Sequence, residues 1–203
     1  YHLGNMTLAD QSAMVSLQFS PKHTGARFVQ RLAMINLISE QYGSAEKYLK
    51  MLSRTLLYRR WALGMMPENQ SPETRAYLSG MRRNLVTGDI VSGSNDYRHI
   101  LRALIEANPE NAMAREYLLC YYLLTCNLDA FMEEYRPGKD NSNIYQEAAI
   151  IWLNIQYNNG TITDVDFDDY GITDATIERF QKFNRAPERY KTTYWYYYST
   201  VIE

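Results

Sequence analysis

"RLAMINLISEQYGSAEKYLKML", Arg31 to Leu52, carries two apolar rhythms separated by a short polar break. Before the break, Phe28, Leu32 and Ile35 recur at helical spacing, with Val29, Ala33 and Asn36 beside them. After it, Ala45, Tyr48, Leu49, Leu52 and Leu56 recur in the same way, with basic residues between them. Two helices joined by "SEQYG" make a helical hairpin. No alternating pattern of strand length interrupts the chain, so the class expected is all-α.

Working outward, "YHLGNMTLAD" reads as a helix end, a turn at Gly4 and a new helix whose small residues Ala9, Ala13 and Ser16 form one stripe. Tyr1 to Leu3 then look like the stump of a helix, and the stripe is expected to lack the helix that belongs across it. Pro21 in "SPKHTG" ends this helix, because proline has no amide hydrogen. Downstream of the hairpin, "GMMPENQSPETR" and "VTGDIVSGSND" are connectors around a short helix from Ala76 to Leu85. Asn108-Pro109 separates two further helices, and Pro137-Gly138 stops the second. Tyr117 to Leu124, "YLLCYYLL", is apolar all round and is expected at the centre of the stack. "IYQEAAIIWLNIQY" is another buried helix, Thr173 caps one running through Phe183, and "TTYWYYYSTVIE" closes the chain.

With 203 residues, 46% of them hydrophobic and 22% charged, the composition fits one ordinary globular domain spanning residues 1–203 and beginning in mid-hairpin. The longest apolar run is far shorter than the roughly 20 residues of a membrane span. Cys120 and Cys126 sit six apart on one helix, about 120° around its axis, and cannot bridge there. Between Arg27 and Arg60 stand seven basic residues against Glu40 and Glu46, while Asp129 to Asp174 holds ten acidic residues against Arg136 and Lys139. This asymmetry is expected on solvated faces, although it could attract a polyanion at one end and a cation at the other. The sequence pI near 6.0 and the absence of a groove-reading motif speak against nucleic acid.

Chemistry is sparse. His2, His23 and His99 are scattered, with no metal-ligand or triad spacing, and there is no phosphate loop or nucleophile elbow. Glu133 and Glu134 are neighbours on one helix, and Glu147 could join them only through folding, so a carboxylate pair is not supplied by the sequence. Asp164, Asp166 and Asp168 fit the first positions of a calcium loop, but Asp169 replaces its turn glycine and Ala175 its chelating glutamate. No metal and no cofactor are expected. Asn5-Met6-Thr7 and Asn159-Gly160-Thr161 match the glycosylation sequon without a secretory context. Tyr194, Trp195, Tyr197 and Tyr198 are the candidate ligand-binding residues. Their rings could stack on a sugar or a peptide, or cover the last hydrophobic face.

Two resemblances refine these expectations. With Ala9 set on the small second-helix residue of a tetratricopeptide repeat (TPR), Gly4 takes the turn, Ala13 the next core site and Pro21 the repeat's end. Ala45 and Leu49 match a second repeat, spaced slightly wider than one period. Asn111 to Tyr135 resembles a third, with Phe131 where alanine is expected. This similarity implies a degenerate TPR-like stack of antiparallel hairpins of the right-handed α-α superhelix type.

The segments "RLAMINLISEQYGSAEKYLKML", "TLLYRRWA", "NPENAMAREYLLCYYLL", "LDAFMEEY", "YQEAAIIW" and "TYWYY" are also similar to the soluble C-terminal region of an uncharacterised family of bacterial multi-span membrane proteins. Here Glu40 stands where a small residue is expected before the hairpin turn. The resemblance implies a membrane-anchored parent and names no activity. The function expected is a non-enzymatic helical-repeat interaction or scaffold domain, whose partner is a protein or another region of its own polypeptide. The alternatives are a glycan-binding module using the C-terminal aromatics and a helical enzyme with an unrecognised site.

Overall fold

The computed structural model describes residues 2–21, 25–86, 97–140 and 142–202, and among these every regular element is helical. In chain order the helices are α1 (Met6–Gln18), α2 (Ala26–Ile38), α3 (Tyr42–Ser53), α4 (Arg59–Met65), α5 (Pro72–Arg82), α6 (Tyr97–Ala107), α7 (Ala112–Leu124), α8 (Leu128–Glu134), α9 (Asn143–Asn158), α10 (Asp174–Arg185) and α11 (Tyr194–Ile202). The chain divides into two compact units, Tyr1–Arg115 and Glu116–Glu203. Most of the connector expected at "VTGDIVSGSND" and the centre of "SPKHTG", with His23, lie outside the described residues.

In the first unit α2 is the central helix. Every residue from Leu32 to Ile38 is buried, because α1, α3 and α5 pack around it. Burying a leucine or isoleucine stabilises by about 1.5–3 kcal/mol, so this helix carries much of the unit's stability. Small residues set the close approaches: Ala33 and Ala45 are fully buried in the cluster formed with Leu37, Leu49, Leu52, Ala62 and Leu78. The α1 stripe is not left open as expected. Ala13 is buried and Ala9 half-buried, packed with Leu32 and Ile35, so α2 itself is the helix across the stripe. A flanking side of α1 is open, with Leu8 and Val15 exposed and Phe19 exposed just past its end.

Gly4 is indispensable in the turn before α1. Its φ is 93°, and a Cβ there would meet the Asn84 carbonyl oxygen at 1.7 Å. The Asn5 side chain accepts from the Leu8 amide and caps α1. Buried Asn111 donates to the Leu3 carbonyl and accepts from the Ala114 amide, tying this turn to the start of α7.

Two further expectations are corrected here. Leu56 is not a core residue of the third helix: α3 ends at Ser53, and Leu56 is 95% exposed on the turn before α4. Hydroxyls at the end of α3 help to stop it, with Ser53 donating to the Lys50 carbonyl and Thr55 to the Leu52 carbonyl. Nor is α7 buried all round. Leu118, Leu119, Tyr122 and Leu123 are buried, while Tyr117, Cys120 and Leu124 are exposed.

In the second unit the central helix is α9, with Tyr145, Glu147 to Ile151 and Leu153 buried and with α8, α10 and α11 against it. Phe131 takes the place of the expected alanine and is fully buried, stacked with Tyr135 at 5.2 Å between ring centres. Thr173 precedes α10 but makes no capping bond with its own side chain. Gln146 of α9 instead accepts from the Thr173 amide and from the hydroxyls of Thr173 and Thr176.

Candidate functional site

Concave regions lie within each unit, and three are described in turn. The first is a groove of about 500 Å³ lined by Met6, Asp10 and Met14 of α1, Asn36 near the end of α2, Gln41 just before α3 and Tyr48 in the middle of α3. Its shape follows from the hairpin. The α2–α3 turn puts Glu40 in the left-handed region at φ 60°, with the Gln41 amide donating to the Asn36 carbonyl and the Glu40 amide to the Leu37 carbonyl. The chain therefore reverses within three residues, bringing the last turn of α2 and the first of α3 to one rim.

Asn36 forms the floor and is only 7% exposed. Its Nδ2 donates to the Leu32 carbonyl at 2.8 Å, while its Oδ1 has no partner among the described residues. No fully buried side-chain nitrogen or oxygen among them lacks a partner, so this oxygen opens into the groove. Asp10 is the one charged side chain in the lining, and beside it burial first, then the Asp10 charge, raise the Tyr48 phenol above its usual range. The groove thus offers a carboxylate, amides and hydroxyls above thioethers and Ile35.

A second cleft, of about 590 Å³, lies between α9, the acidic loop and α10. Ile150, Leu153 and Phe180 line its floor, and Tyr157, Asn154, Asn158, Gln181 and Asn184 are exposed around it. Asn158 donates to the Asn154 side chain at 2.7 Å. Asp164 borders this cleft, whereas Asp166 accepts from the Asp168 amide in a turn that leads to the helical turn Asp168–Tyr170. Among the described residues no three His, Cys, Asp or Glu side chains converge to hold a metal ion.

The third cleft, of about 390 Å³, is apolar and lies beside the C-terminal aromatics, with Cys120, Leu124, Ile144 and Tyr197 in its wall. Trp195 and Tyr194 are 1% and 3% exposed, so neither ring offers a face for a ligand to stack upon. Trp195 packs against both Phe180 and Phe183, donates its indole N–H to the Glu147 carbonyl at 2.8 Å and lies under the Arg179 guanidinium. The Tyr194 hydroxyl donates to the Leu123 carbonyl and that of Tyr197 to the Leu124 carbonyl. Burial drives the Tyr194 phenol well above its ordinary value, with Cys126 adding to the effect. Tyr198 is half-buried, 6.1 Å from Tyr194. The expected stacking platform is therefore mostly a set of interior props: Tyr194 and Tyr197 both border the cleft, and of these two Tyr197 is the partly open ring.

Glu147 is buried with its Oε2 accepting from the Tyr194 amide at 2.7 Å and its Oε1 3.4 Å from Arg179. It caps the start of α11, where a negative charge meets the positive end of the helix dipole. Burial nevertheless raises its pKa, opposed by the Tyr194 amide and Arg179. Asn36 and Tyr157 were not among the ligand candidates of the sequence, because nothing in a helical repeat distinguishes a buried amide or an exposed tyrosine from its neighbours.

These features define an all-helical protein with grooves between its helices. The chain belongs to a family of unknown function, DUF6057, whose model matches residues 1–200. No curated protein and no solved structure matches it.

Proposed function

We propose that this chain is a non-enzymatic interaction domain of TPR-like type, the accessory region of a membrane-anchored parent, and that the α1–α2–α3 groove receives an extended segment of a protein or of its own polypeptide. The observation that carries this is Asn36. A buried amide with one oxygen open to a groove suits a peptide N–H, and burying it there without a partner would cost about 1–3 kcal/mol. Asp10 at the rim favours a lysine or arginine side chain, and Met6 and Met14 adapt to varied apolar ones. Side chains from consecutive helices forming one concave surface is the usual way such stacks bind.

The reading is tested by selecting displayed peptides of about 12 residues, long enough to cross two helix diameters, on the wild-type chain and on Asn36→Leu. Enrichment of basic, extended peptides on wild type alone is expected, with the variant shown to fold by circular dichroism. Equal enrichment on both would remove the groove from the function.

A second reading is favoured by Tyr157. An exposed ring among four side-chain amides suits a neutral glycan better than the buried C-terminal rings do. Amide shifts at Tyr157 and Gln181 on titration with neutral oligosaccharides would support it, and shifts scattered over the surface would discard it.

A further inference from the structure

The turn between α3 and α4 carries a feature that the groove does not use. Leu56 and Leu57 are 95% and 87% exposed, side by side at the tip of a convex turn, although leucine is among the side chains most consistently buried. Three arginines surround them in sequence, Arg54 before and Arg59 and Arg60 after. All three are exposed and make no ion pair with any described residue. Behind the tip, half-buried Tyr58 and Trp61 are packed against the core cluster of α2, α3 and α5, so the turn is held on a firm base.

We propose that this turn is a membrane-contact loop, in which Leu56 and Leu57 enter the apolar edge of an anionic lipid surface while Arg54, Arg59 and Arg60 bind its phosphates. Several properties favour a bilayer over a protein pocket. The leucines are almost fully exposed on a turn and line none of the three clefts described above, and a lipid surface accepts such a shape without matching contours. Guanidiniums pair with phosphate through two parallel hydrogen bonds, and their long stems let the charge stay at headgroup level while neighbouring apolar groups go deeper. Tyrosine and tryptophan just behind the tip have the amphipathic character favoured at that level. The basic bias of the segment Arg27 to Arg60, which contains the turn, adds a long-range attraction to negative surfaces. No helix of the described residues is long and apolar enough to cross a membrane, so the contact proposed is peripheral.

The proposal is independent of the groove and is tested on the 203-residue chain by flotation with vesicles. Zwitterionic vesicles are compared with vesicles carrying roughly 30% phosphatidylglycerol, an anionic content that supports a surface potential of the physiological kind. Binding to the anionic vesicles is expected, weakening as salt rises. Leu56→Ser with Leu57→Ser should weaken it at least about tenfold, as loss of two inserted leucines would. Arg54→Gln, Arg59→Gln and Arg60→Gln together should weaken it by a similar factor and abolish the salt dependence. All substituted side chains are exposed, and unchanged thermal unfolding would confirm that the variants fold. Failure to bind anionic vesicles would overturn the proposal, as would full binding by the serine variant, which would reveal simple charge attraction. A leucine-dependent dimer without vesicles, seen by sedimentation, would instead assign the tip to a second copy of the chain and equally overturn it.

Discussion

The hairpins α2–α3 and α7–α8 turn in the same way and finish their first helix with different chemistry. Both reverse through a left-handed residue, Glu40 at φ 60° and Cys126 at φ 53°. In both, the next amide bonds back across the turn, Gln41 to the Asn36 carbonyl and Asn127 to the Tyr122 carbonyl. Matching the two turns pairs Leu32 with Leu118, Ala33 with Leu119, Leu37 with Leu123 and Ala45 with Phe131, and all eight are buried. The last carbonyls also correspond. Those of Leu37 and Ile38 accept from one guanidinium, Arg82, which also lies 3.4 Å from Glu40. Those of Leu123 and Leu124 accept from two phenols, Tyr194 and Tyr197.

The difference teaches what a helix end requires. Its final carbonyls must be satisfied, and the helix dipole adds a preference for positive charge. A single arginine from α5 meets both needs at once in the first unit. In the second, α11 supplies hydroxyls from rings that also fill space, so capping and packing are performed by the same residues. The cluster of tyrosines near the C-terminus is explained by this double use at Tyr194 and Tyr197.

Arg82→Ala should have the largest effect, lowering stability by about 2–3 kcal/mol, since it strips two buried carbonyls of a charged donor and leaves Glu40 unpaired. Tyr194→Phe removes one neutral hydroxyl and keeps the ring, so about 1 kcal/mol is expected. Urea unfolding of both variants measures the contrast. If Tyr194→Phe cost as much as Arg82→Ala, the distinction between charged and neutral caps would collapse.

The second unit should also respond to pH through Glu147, on which the start of α11 rests. Its folded pKa lies above the ordinary 4.5 because of burial, so the folded protein holds this proton more tightly than the unfolded chain does. The corresponding stabilisation is complete below the unfolded value and is lost as pH rises through the folded one. Glu147→Gln keeps an acceptor for the Tyr194 amide and cannot titrate. The stability of wild type relative to this variant should therefore decline between pH 4.5 and neutrality. A difference that stays constant over that window would show that the carboxylate is not perturbed.

The smallest effect is expected at the left-handed residues themselves. Glycine relieves strain of roughly 1 kcal/mol at such a position. Cys126→Gly should gain about 0.5 kcal/mol after its own entropy cost. Glu40→Gly should gain less, because it also gives up the contact with Arg82. Thermal unfolding of the pair ranks them, and a larger gain at Glu40 would mean that its ion pair contributes nothing.

Helical class, the hairpin at Arg31 to Leu52 and the breaks at Pro21, Asn108-Pro109 and Pro137 were legible in the sequence, because apolar period and proline act over a few residues. The burial of α9 was legible for the same reason. What only the tertiary structure decided is which helix surrounds itself with others and what each helix end touches. The apolar run of α7 turned one side to solvent while α2, with its two arginines and a glutamine, became the centre of the first unit. Leu56 kept the helical period and still fell outside the core, because α3 had already ended at Ser53. The caps could not be foreseen either: Arg82 lies more than forty residues from Leu37, and Tyr194 more than seventy from Leu123. Local periodicity reports the conformation a segment prefers. Carbonyl partners and open amides such as that of Asn36 depend on which distant surfaces meet, and those meetings are selected by the packing of the whole unit.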